Sequence, residues 1–110
     1  EPGDNPPPPP TPERLTAQIL YPREGDTVRG PVGILGTASG GGFIAYRVEV
    51  GLGEEPEVWV LVGEESATPV EEGVLAVWQP QDMAGATVTL RLTVWGIGEQ
   101  KEARVTVRVE

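Results

Sequence analysis

Behind Arg14, apolar and polar residues alternate in short runs that recur to the end of the chain. A period of two residues puts apolar side chains on one face of an extended strand and polar ones on the other, the mark of an antiparallel strand with one wet face. The last two runs are the clearest. In Ala86–Trp95, the residues Val88, Leu90, Leu92 and Val94 share one face, while Thr87, Thr89, Arg91, Thr93 and Trp95 share the other. In Lys101–Val109, Ala103, Val105, Val107 and Val109 point inward and Arg104, Thr106 and Arg108 outward. Between them Gly96-Ile97-Gly98-Glu99 suits a hairpin. Earlier runs predict strands over Thr16–Leu20, Val32–Ala38, Phe43–Val50, Glu57–Val62 and Val74–Trp78. In the third of these Tyr46, Val48 and Val50 face one way and Arg47 and Glu49 the other. Glycine and proline break the runs: residues 21–26 turn the chain, and Ser39–Gly42 forms a flexible loop. No run sustains a period of 3.6 residues, so little helix is expected. The pattern predicts an all-β fold, an antiparallel sandwich of about seven strands, with a barrel as the structural alternative.

Residues 1–14 differ in kind. Six of the first ten are proline, which fixes φ and removes backbone donors. Such a segment is expected as an extended linker of about 3 Å per residue, leaving residues 15–110 as the folded domain. It also contains a PxxP spacing that a partner domain could read, but a spacer between domains is the plainer expectation. With no starting Met and no signal peptide, the chain is expected to belong to a longer protein. A strand count near seven in roughly 95 residues fits an immunoglobulin-like or fibronectin-III-like sandwich.

Composition narrows the functional classes. The chain has 110 residues, with no Cys and no His. Disulfide staples are excluded, and so are the commonest general base near neutral pH and the commonest metal ligand. The net charge is −9, from 17 acidic and 8 basic residues, which disfavours nucleic acid and anionic membrane surfaces. No run approaches the roughly 18 apolar residues of a membrane span.

Particular residues carry a resemblance. The series Ile19, Pro22, Gly25 to Val32, Ile34, Gly36-Thr37-Ala38 continues through Phe43, Tyr46 to Glu49, Pro56, Trp59 and Val62. It ends with Gly73 to Trp78, Gly85, Leu90 to Leu92 and Val94. This pattern resembles the immunoglobulin-like accessory modules attached to cell-envelope proteins of Chloroflexi-type bacteria, at the C-termini of penicillin-binding proteins and in secreted subtilisin-like proteases. The likeness covers nearly all of residues 16–109 and rests on structural Gly, Trp and Leu positions. It implies a non-catalytic, extracytoplasmic module and carries over no catalytic residue. Two departures stand out: Gln79-Pro80, where a small polar turn beginning with Asp is expected, and Trp95-Gly96, where a polar turn residue is expected.

Candidate chemistry is thin. Ser39 and Ser66 are the only serines, and neither has a His or Cys to activate it. Glu54, Glu55 and Glu57, the pair Glu64-Glu65 and the pair Glu71-Glu72 are clustered carboxylates beside predicted turns, without an apolar pocket to tune them. Calcium would need more Asp and Asn oxygens than positions 4, 5, 26 and 82 provide, though Glu54 or Glu71-Glu72 could add ligands. An isopeptide bond would need a buried Lys, and Lys101 stands at a strand entrance. Gly40 to Gly42 and Gly51-Leu52-Gly53 are turn glycines rather than phosphate loops. No metal or cofactor is expected, and no enzymatic activity.

The aromatics are more informative. Trp59 and Trp78 coincide with core positions of the resembling modules, and Tyr46 shares the inner face, so all three are expected between the sheets. Trp95 differs, because parity sets it with Arg91 and Thr93 opposite Leu92 and Val94. It is the candidate ligand or interface contact, with Arg91, Thr93 and Arg108 as its neighbours; otherwise it caps the sandwich end or packs beneath the proline arm. Two functions follow as expectations. The first is a spacer, docking or interaction module for a neighbouring domain of a cell-envelope or secreted enzyme. The second is a carbohydrate- or peptidoglycan-binding module that uses a surface aromatic.

Overall fold

A computed structural model describes residues 15–80 and 83–110; the proline-rich segment 1–14 and Asp82 lie outside the described residues. Eight strands form in the order β1 (Thr16–Tyr21), β2 (Thr27–Val28), β3 (Val32–Ser39), β4 (Phe43–Leu52), β5 (Val60–Ser66), β6 (Val70–Trp78), β7 (Thr87–Gly96) and β8 (Glu99–Val109). They make two sheets, one of three strands in the order β1-β3-β6 and one of five in the order β2-β8-β7-β4-β5. Every ladder is antiparallel except β2 on β8. The fold is all-β and sandwich-like.

The core lies between the sheets, where the alternating positions converge. Ile34 from the small sheet meets Val48, Val88, Leu90, Leu92, Val94 and Val107 from the large one, all fully buried. Trp78 and Tyr46 are buried as expected. The phenol of Tyr46, on β4, donates to the carbonyl of Leu75, on β6, at 2.9 Å. A buried hydroxyl therefore finds a partner and ties one sheet to the other. Leu15 plugs one end of the core against Gly96, where a Cβ would meet the Leu15 side chain at 2.7 Å.

The structure adds to the expected strands and moves one. β2 is an eighth strand, and its two residues are too short to show a period. The chain passes from the small sheet to the large one over residues 22–28, through a cis Tyr21–Pro22 bond and a tight turn in which the Asp26 carboxylate accepts the Arg23 N–H at 2.8 Å. Backbone bonds from Gly25 N–H to Thr106 O, Arg108 N–H to Asp26 O and Glu110 N–H to Val28 O dock this passage on β8, each 2.8 Å long. β5 begins at Val60 rather than Glu57 and runs on to Ser66. Its apolar residues end at Val62, and the strand continues through a bulge at Gly63, where φ is +73°. β6 starts at Val70, before its apolar run, and its ladder with β3 shifts register twice.

Candidate functional site

The outer face of the five-stranded sheet collects the polar halves of β4, β7 and β8. Across the ladders Glu49 lies opposite Arg91 and Arg91 opposite Arg104; Arg47 lies opposite Thr93 and Thr93 opposite Glu102; Ala45 lies opposite Trp95 and Trp95 opposite Gln100. Directly opposed residues share a face, so these side chains form three adjoining rows.

Trp59 joins them by an indirect route. Gly51 of β4 would carry its side chain on this same outer face. A Cβ there would overlap the Pro56 ring and crowd the Val58 carbonyl, so its absence lets the loop 53–58 lie over the sheet. The loop is tied down by Gly53 N–H to Thr87 O at 2.7 Å and by the Thr89 hydroxyl to Gly53 O at 2.8 Å. With its single proton given to Gly53, Thr89 accepts from the Thr106 hydroxyl 3.0 Å away. The loop covers Thr89 and delivers the Trp59 indole over the arginine row.

There the Arg91 guanidinium centre sits 4.0 Å from the Trp59 ring centroid, and that of Arg104 at 5.4 Å. Arg91 also donates from Nη2 and Nε to one oxygen of Glu49, at 2.7 and 3.1 Å. Glu49 is only 9% exposed, and Arg91 supplies its buried charge with a paired cation. Arg104 donates to the Glu102 carboxylate at 2.5 Å. The result is a continuous chain from Glu49 through Arg91, Trp59 and Arg104 to Glu102. Beyond it, the Arg47 guanidinium of the second row lies 4.8 Å from the ring centroid of Trp95 in the third. Arg47 Nε is buried without a hydrogen-bond partner, so the ring is the group that this cation faces.

The expected site is thus divided. Trp95 does lie on the outer face, half-buried, but its cation is Arg47 and neither Arg91 nor Arg108. Arg91 is four residues away, about 14 Å along the strand, and is committed to Trp59 and Glu49. Arg108 pairs with Thr87 at the far end of the hairpin, roughly 27 Å from Trp95 by the same rise. Thr93 stands in the middle row, between Arg47 and Glu102, at 4% exposure. The expectation that Trp59 fills the inter-sheet core is overturned, since it is half-buried on the outside and held by two arginines. Arg47, Glu49 and Arg104 are the members that sequence reasoning missed. Parity puts Arg47 and Glu49 on the face away from Tyr46, but only the lateral order of strands brings them beside β7.

Among the described residues no group of three or more Asp and Glu is placed to hold a metal ion, and no helix is long and apolar enough to cross a membrane. No family model matches the chain, and no curated protein does. Among solved structures it is similar to the crystal structure of an engineered protein, a Northeast Structural Genomics Consortium target, with a TM-score of 0.61 and 19% identity. The match covers 91% of this chain and 21% of that one. At that identity the likeness speaks for the β-sandwich fold alone.

Proposed function

We propose that this is an immunoglobulin-like or fibronectin-III-like accessory module, without catalytic activity, that spaces or docks a neighbouring domain of an extracytoplasmic protein, a cell-envelope or secreted enzyme. The carrying observation is the state of the outer tryptophans. A sugar-binding sheet presents bare indole faces, whereas here Trp59 and Trp95 already stack on arginine. A face closed by its own side chains is rigid and suits a module whose work is to hold a distance and present a surface. Trp and Arg are also the residues that most often anchor protein interfaces. The proline-rich segment 1–14 adds reach on this reading.

The second reading, a carbohydrate- or peptidoglycan-binding module, draws on one observation: both tryptophans occupy the same sheet face. Trp95 has Arg47 over its ring and Trp59 has Arg91 and Arg104, so a saccharide would have to take the ring surface that these cations leave open. Co-sedimentation with insoluble peptidoglycan and a panel of polysaccharides separates the two. The docking module stays in the supernatant like a control protein. Pelleting that Trp95→Ala abolishes would replace it with the glycan-binding module.

A further inference from the structure

The chain's charge is not spread evenly. Residues 48–90 hold nine acids and no base, while the remaining residues hold eight of each. The whole net charge of −9 therefore comes from the stretch that runs from the end of β4 through β5 and β6 to the start of β7. β5 and β6 end their respective sheets, and seven of the nine acids lie on them or in the loop before β5: Glu54, Glu55, Glu57, Glu64, Glu65, Glu71 and Glu72.

The same stretch exposes much of the chain's apolar surface. Leu52 is 64% exposed, Val58 73% and Val77 58%, with Val60 and Leu61 also open. These residues line two adjoining depressions. One, of about 490 Å³, lies between Leu52, Val58, Val60 and Met83 and has Glu55 and Glu57 on its rim. The other, of about 310 Å³, runs from Val60 and Met83 past Leu61 to Val77. They share Val50, Val60 and Met83 as a common floor and make one groove along the seam of the two edge strands. Contiguous apolar surface of this kind marks an interaction site.

The charge selects the occupant. A second copy docking the same groove by two-fold symmetry would set its acidic rim, Glu55 and Glu57, against the same acids of its partner. The chain's own segment 1–14 carries Glu1, Asp4 and Glu13 against Arg14, a net of −2, and is repelled as well. Sheet extension is also poorly served. The ladder of β5 shifts at the Gly63 bulge and that of β6 shifts twice, and bulges blunt an edge against a new strand. Side chains in the groove must then carry the contact. We infer that the β5–β6 seam docks an extended polypeptide segment whose apolar side chains enter the groove and whose flanking Lys and Arg meet the acidic rim. The inference rests on the docking reading and names its surface and partner chemistry.

The test is fluorescence anisotropy of the full chain with three labelled eight-residue peptides. One alternates Lys or Arg with Leu or Val, one replaces the bases by Glu, and one replaces the apolar residues by Ser. The basic–apolar peptide binds, and the other two bind at least about tenfold more weakly, a difference of about 1.4 kcal/mol. Val60→Arg, in the groove floor, and the double change Glu55→Lys with Glu57→Lys, on its rim, each weaken it by about tenfold or more. All three positions are exposed, and circular dichroism of each variant checks that the sheet signal is kept. Equal binding of the basic–apolar and basic–Ser peptides would overturn the inference, since charge alone would then be acting. So would unchanged affinity in folded Val60→Arg. Dimerisation in sedimentation velocity that Val60→Arg abolishes would assign the groove to a second copy instead. Polysaccharide pelleting fails or succeeds independently of these peptides, so loss of the docking segment and loss of the accessory-module reading are told apart.

Discussion

Arg91 does two jobs with one guanidinium: two of its nitrogens donate to a Glu49 oxygen, and its centre lies over the Trp59 ring, 4.0 Å from the centroid. The geometry uses what lysine lacks, a planar fork that can hydrogen-bond in its plane and stack across it. Removing it leaves Glu49 largely buried with no partner. The pair is shielded but not sealed, with side chains 21% and 12% exposed, so the loss falls below that of a fully buried pair. Arg91→Ala is expected to lower stability by about 2 kcal/mol, read as a shifted midpoint in urea at unchanged slope. Arg104→Ala is the contrast, because Arg104 and Glu102 are more exposed and the change stays within about 1 kcal/mol. Equal losses at the two sites would mean that Glu49 does not need its partner. Period-2 parity makes this face readable in part. It separates Arg47 and Glu49 from Tyr46, and Arg91 from Leu92, from sequence alone. What parity cannot tell is which strand lies beside which, and the stack of Arg91 on Trp59 depends on that.

Strands whose two faces differ cleanly were the easiest to read. β7 and β8 fall within two residues of their expected limits because each alternates over its full length and a Gly-containing turn joins them. β5 resists, and so does Trp59 at its head. Residues 57–62 alternate well enough to suggest a strand, yet Gly51 and Pro56 together pull 53–58 over the sheet, and β5 starts only after that crossing. The determinant is a missing side chain on β4, eight residues before Trp59, and no local pattern contains it. Gly51→Val tests this. The new side chain must displace Pro56 and Val58, so the loop lifts and Trp59 loses its seat. We expect a loss of about 1–3 kcal/mol, together with a larger share of tryptophan fluorescence open to acrylamide quenching. Gly33→Val serves as the control, since a Cβ at Gly33 meets nothing within 4 Å and a β-branched residue suits a strand. A Gly51→Val protein as stable and as shielded as the control would mean that the loop is not held by close approach.

The sandwich as a body is electrically lopsided, with its net charge confined to residues 48–90. Like charges held close together oppose the compact state, and salt relieves that opposition. The Debye length falls from about 30 Å at 0.01 M salt to about 8 Å at 0.15 M. Neighbouring acids such as Glu64, Glu65, Glu71 and Glu72, all exposed, repel one another less at the higher salt. The pair Glu49–Arg91 works in the opposite direction, but it is shielded from solvent and is screened less. The balance is therefore set by the exposed acids, and the melting temperature is expected to rise by a few degrees between those two salt concentrations, since about 1 kcal/mol moves a domain of this size by roughly 4–8 °C. The origin of the rise is checked by position. Changing Glu64, Glu65, Glu71 and Glu72 together to Gln raises the low-salt melting temperature and flattens the salt dependence. Changing Glu24, Glu99 and Glu110 to Gln, in the part of the chain where acids and bases balance, does neither. If both sets behave alike, the charge acts only through its total, and the acidic side has no field of its own with which to select a basic partner.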